Sequence, residues 1–149
     1  MANLRLQLAA MLVATVTGLA ANSATAVEIS DMKGFEALFG RYAPGGDCAR
    51  EPRVVVDATG IAMELKGTTV KSAKLEFAAS FGGPEYRGNT KWFFPFSSAN
   101  GWPVIMAFNA DEKDGLLTVE PHDEGWAGGP KLSARHQALV AGSPYRKCR

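Results

Sequence analysis

Few residue types in this 149-residue chain are equipped for chemistry, and they are sparse: two histidines, two cysteines and a few grouped carboxylates. His122 stands in Pro121-His122-Asp123-Glu124-Gly125, where an imidazole adjoins two carboxylates. Such donors suit a divalent ion or the acid–base pair of a hydrolase. Adjacent loop residues rarely converge on one ion, and no ligand set of recognised spacing accompanies these, so the segment reads as a solvated turn. His136 falls on the apolar stripe of a predicted helix and reads as a partly buried, hydrogen-bonded core histidine.

Nucleophiles fare no better. There is no Gly-x-Ser-x-Gly elbow. The carboxylates at Asp111, Glu112 and Asp114, and those at Asp123 and Glu124, lie in predicted turns, which rarely supply the burial that raises a general acid's pKa. The two Gly-Gly-Pro runs, Gly82–Pro84 and Gly128–Pro130, lack the donors and the lysine of a phosphate cradle. The reading therefore leans away from an enzyme and assigns no catalytic residue, no metal site and no cofactor.

Cys48 and Cys148 read as one disulfide, because the rest of the sequence places the chain in an oxidising compartment. A bridge between residues 100 apart in sequence would tie the start of the domain to its end. No histidine lies near either cysteine in sequence, which disfavours a metal pair.

The aromatic residues are the stronger signal. Trp92-Phe93-Phe94-Pro95-Phe96 is apolar on both faces of a predicted strand. With Trp92, Phe94 and Phe96 assigned to the core, Phe93 projects to the other face, where Ile105 and Leu116 join it. That second face either packs under a terminal helix or offers a binding surface. Pro95 marks an edge or a bulge. Tyr86, Arg87, Trp102 and Trp126 lie in or beside predicted loops, and such side chains anchor protein interfaces and stack on ring ligands. The candidate binding residues are therefore Tyr86, Arg87, Phe93, Trp102 and Trp126.

These residues need elements to position them. Ser30 can cap a helix from Asp31 to about Gly40, whose stripe is Met32, Phe35, Leu38, Phe39 and Tyr42. Six strands follow: Arg53 to Ala58, Ile61 to Leu65, Lys74 to Phe81, Lys91 to Ser97, Pro103 to Asn109 and Leu116 to Glu120. Short turns, including Ala58-Thr59-Gly60 and Ser98-Ala99-Asn100-Gly101, join several of them. A polar, Gly-rich segment, Pro121 to Lys131, reads as a surface loop. A last helix capped by Ser133 carries Leu132, His136, Leu139 and Val140 on one stripe and stops near Gly142 and Pro144. The predicted fold is α+β: a curled, meander or barrel-like antiparallel sheet of about six strands, flanked by a short N-terminal and a C-terminal helix and tied by one disulfide.

The N-terminal segment sets the compartment. Arg5, the apolar stretch Leu6 to Leu19 and the small residues Ala24-Thr25-Ala26 have the order of a cleavable signal peptide, residues 1–26. Residues 27–149 then form a single compact mature domain, periplasmic or extracellular. Without Arg5 the 15 remaining basic residues balance the 15 acidic ones. A neutral chain without a basic stripe argues against nucleic-acid binding, and no later apolar run suits membrane insertion. In size, export and single-disulfide β layout, the chain resembles the format of small periplasmic inhibitor proteins such as those that block lysozymes. These readings predict a non-enzymatic, bacterial-type binding domain for a protein or an envelope glycan. The alternatives are an accessory subunit of an envelope assembly and a His122-centred hydrolase.

Overall fold

The computed structural model describes residues 26–79, 81, 86–98, 101–122 and 132–149. Segment 1–25, most of the expected signal peptide, lies outside the described residues. No helix among the described residues is long and apolar enough to cross a membrane.

The fold is a curled antiparallel half-barrel of ten strands. The six expected strands all form: β3 (Arg53–Asp57), β4 (Gly60–Leu65), β6 (Leu75–Ala78), β7 (Lys91–Pro95), β8 (Val104–Phe108) and β9 (Leu116–Pro121). Four short ones join them: β1 (Val27–Ile29), β2 (Gly40–Pro44), β5 (Thr68–Lys71) and β10 (Tyr145–Lys147). The spatial order is β1-β6-β7-β8-β9-β10-β2-β3-β4-β5, with every neighbouring pair antiparallel. Two meanders, β2 to β5 and β6 to β9, are thus joined by the last strand, which pairs with β9 on one side and β2 on the other. Strands β5 and β6 are consecutive in the chain yet lie towards opposite ends of the sheet, so the sheet must curl strongly. Ser72 helps to hold this curl: its N–H donates to Ile61 O (2.9 Å), and its Oγ accepts from Phe96 N–H (2.8 Å).

The N-terminal helix predicted over Asp31 to Gly40 does not form; a single 3₁₀ turn, Glu36–Leu38, stands in its place. Gly34 at φ +88° and Gly40 at φ +145° take conformations that end a right-handed helix, and Met32 N–H donates to Ala58 O (3.2 Å) instead. The stripe is nonetheless a true core signal, since Met32, Leu38 and Tyr42 are buried. The last helix, α1, spans Ala134–Gly142, and Ser133 Oγ accepts from His136 N–H as an N-cap.

One core fills the concave side. It contains Met32, Tyr42, Val54, Ile61, Met63, Phe93, Met106, Phe108, Leu117, Leu139 and Tyr145. Both buried tyrosines satisfy their hydroxyls: Tyr42 donates to Leu38 O (2.8 Å) and Tyr145 to Leu139 O (2.6 Å). Burial pushes the Tyr42 phenol up to about 12 and raises that of Tyr145 as well.

The expected disulfide is present, with Cα atoms of Cys48 and Cys148 5.9 Å apart. Arg53 fixes the loop that carries Cys48. Its guanidinium donates to Glu64 (2.8 Å), Glu51 (3.1 Å) and the Cys48 carbonyl (2.9 Å).

Candidate functional site

Strand register decides which aromatic side chains face outward. Phe77, Phe93 and Met106 are cross-strand partners on the core side. Phe93 is fully buried, with its ring against Phe35, Phe77 and Phe108 at centroid distances of 5.1, 5.2 and 5.6 Å. The expected facing of β7 is therefore reversed at Phe93 and Phe94, and Phe93 leaves the set of surface candidates. The cause is that Trp92-Phe93-Phe94 is apolar at every position, so alternation cannot choose a face. Beyond Pro95, Phe96 adopts φ +62° and packs against the core and the His136 ring (5.3 Å).

The outer face of β6 to β8 carries the rings that the core does not take. Phe94 packs against Trp102 (4.5 Å) and Phe81 (5.7 Å), and Trp102 continues to His122 (5.4 Å). Two residues before Phe94, and on the same face, Trp92 meets Tyr86 edge-on (4.8 Å). Phe94 is buried beneath this layer, Tyr86, Trp92, Trp102 and His122 are half-buried, and Phe81 is 46% exposed. Tyr86 and Trp102 are among the candidates expected from sequence, whereas Phe81, Trp92, Phe94 and His122 join the group only through the fold. The strand expected over Lys74 to Phe81 ends at Ala78, so Phe81 lies beyond the alternating pattern.

A polar knot holds the Tyr86 end of this row. Tyr86 OH donates to the Glu112 carboxylate and accepts from Thr90 N–H (2.6 Å). Glu112 also accepts from Asn89 N–H and Thr90 Oγ1, and Asn89 Nδ2 donates to Asp114 (2.6 Å). The Tyr86 hydroxyl first, and the Asn89 amide next, hold the Glu112 carboxyl below its ordinary range. A carboxylate stabilised in this way serves as an anchor and is a poor general acid. Arg87 is exposed, with no hydrogen-bond or ion-pair partner among the described residues.

The remaining sequence candidates divide as follows. Trp126, Asp123 and Glu124 lie outside the described residues, so the carboxylates needed for a His122-centred site are not placed. His136 is partly buried, but its Nδ1 is buried without a hydrogen-bond partner, contrary to the expected bonded state. Desolvation lowers its pKa. No group of three or more His, Cys, Asp or Glu that could hold a metal ion occurs among the described residues. Comparisons with protein-family models, with curated proteins and with solved structures find no match to this chain.

Proposed function

We propose that this chain is a small exported, non-enzymatic binding domain whose ligand, a protein or an envelope glycan, docks on the outer aromatic face of β6 to β8. The carrying observation is the aromatic row outside the core: Tyr86 and Trp92, then Phe81, Phe94, Trp102 and His122. The core cluster does not include Trp92, Phe94 or Trp102, so these rings form a second layer outside it. Grouped and partly open rings of this kind mark interaction surfaces, where they fill partner pockets or stack on the apolar faces of sugar rings. The export half of the proposal draws on the N-terminal apolar segment and on a disulfide, which persists in oxidising compartments.

The test is pull-down from periplasmic extract together with glycan-array binding, repeated with Trp102→Ala, Phe81→Ala and Tyr86→Ala. A central aromatic anchor removed in this way weakens binding by about 30-fold, corresponding to about 2 kcal/mol. If all three variants retain every detected interaction at wild-type strength, the aromatic face is not the binding surface.

A further inference from the structure

The disulfide end of the half-barrel opens into a cleft of about 900 Å³, within the size range of small-molecule sites. The turn after β2, the β8–β9 turn and the end of the chain from Arg146 to Arg149 line it. Glycine backbone gives the cleft its shape. Gly46 at φ +84° and Gly115 at φ +72° lie against β10, where a Cβ would come within 3.4 Å of Arg146 Cβ and 3.2 Å of Lys147 Cβ, respectively.

Three basic and two acidic residues line this space, and the bonding of their side chains differs. Asp47 accepts from Ala49 N–H (3.0 Å), and Asp114 accepts from Asn89 Nδ2 (2.6 Å). Lys147 Nζ donates to Ala37 O (2.9 Å). The guanidinium groups of Arg146 and Arg149 have no hydrogen-bond or ion-pair partner among the described residues. Basic residues outnumber acidic ones along the cleft, three to two, and two of the three are arginines, whose planar, multi-donor groups recognise carboxylate and phosphate oxygens in pairs.

We infer that this cleft binds a small ligand carrying carboxylate or phosphate groups, held by Arg146 and Arg149. The site goes beyond the proposed function: it uses neither the aromatic row nor its residues, and Trp102→Ala leaves it intact. Arg146 is exposed on β10, so changing it spares the core, while its backbone stays paired to Ala43 and Leu116.

The experiment titrates the ¹⁵N-labelled, disulfide-intact protein with inorganic phosphate and, separately, with citrate, at constant ionic strength set by chloride. Saturable amide shifts centred on Gly45, Gly46, Gly115 and Lys147 are expected, and the anion that saturates at lower concentration identifies the preferred class. The double variant Arg146→Gln/Arg149→Gln weakens that binding by about tenfold or more, since it removes both charge-assisted partners of the anion. Lys66→Gln, which removes one charge from the exposed β4–β5 turn, leaves the affinity unchanged. Absence of saturable shifts with both anions, equal affinity in the arginine double variant, or an equal loss in Lys66→Gln each overturns the inference.

Discussion

Removing the disulfide by Cys48→Ala/Cys148→Ala should destabilise the domain without dissolving its native pairing. The bridge spans 100 residues of sequence, enclosing strands β3 to β10 and helix α1. In the chain-entropy account, a closed loop of that size is worth about 4.7 kcal/mol at 25 °C. The native state does not depend on the sulfur atoms for its register. Cys148 N–H donates to Arg41 O (2.8 Å), Lys147 N–H donates to Gly115 O (2.8 Å), and Arg53 holds the Cys48 carbonyl. The effect should therefore fall mainly on the unfolded chain, which gains freedom when the bridge is absent. Against a net stability of about 5–15 kcal/mol for a natural domain, that loss is large. Urea unfolding followed by circular dichroism provides the assay. With a slope of about 1–3 kcal/mol/M, the midpoint should fall by about 1.5–5 M. The slope should itself increase, because the uncrosslinked chain exposes more surface. A loss below about 1 kcal/mol would refute the reasoning, since it would mean that the bridge scarcely restricts the unfolded ensemble.

Other expectations concern single side chains. Phe93→Ala should lower stability by about 3–5 kcal/mol in denaturant melts, because the ring is fully buried among Phe35, Phe77 and Phe108. Tyr145→Phe removes the donor to the Leu139 carbonyl and should cost about 1–3 kcal/mol, measured in the same way. His136 has a folded pKa below its ordinary 6.5, so its neutral form is favoured by folding; stability should be level above pH 6.5, decline as pH drops below it, and do so less in His136→Gln. Glu112 is shifted the other way relative to its charge, and its contribution is present above its ordinary 4.5 and lost as pH falls through the lower folded value. Glu112→Gln should therefore flatten that acid limb and speed amide exchange at Asn89; unchanged exchange there would show that the knot does not hold the loop.

Two-residue alternation was enough to find β4, and the continuous apolar run of β8, bounded by turn residues, also formed with nearly the expected bounds. The last helix and its Ser133 cap were legible for a similar reason, since a capping side chain followed by a 3.6-residue stripe has few alternative readings. The failures were local ambiguities of period. Met32, Phe35, Leu38, Phe39 and Tyr42 are spaced as on a helix, yet the chain buries them through a 3₁₀ turn and strand β2. Strands β1, β5 and β10 are only three or four residues long and carry charged or threonine side chains. Their pairing is fixed by neighbours distant in sequence, which no local pattern encodes. The aromatic row was half legible. Trp102 and Tyr86 stood out as loop aromatics, but recognising Phe94 as an outer-face residue required the register of β6 against β7.

The placement of both surfaces depends on one strained turn. Asn109, Asp111 and Glu112 have φ of 53°, 53° and 59°, a left-handed region that Asn and Asp enter readily but that costs a residue such as Glu about 1–2 kcal/mol. Side-chain bonds offset that cost on both flanks: Asn109 Oδ1 accepts from Gly115 N–H (3.0 Å), and Glu112 accepts from Tyr86, Asn89 and Thr90. The Asn109–Gly115 bond shapes one wall of the anion cleft, whereas the Glu112–Tyr86 bond fixes the end of the aromatic row. The turn thus ties the Tyr86–Thr90 segment to the β8–β9 hairpin. The carboxylates at Asp111, Glu112 and Asp114, weighed from sequence as candidate acid–base groups, gain a different role from this geometry. Glu112 and Asp114 act as acceptors that hold the Tyr86–Thr90 segment in place, and the surfaces beside that segment are where ligands are proposed to bind.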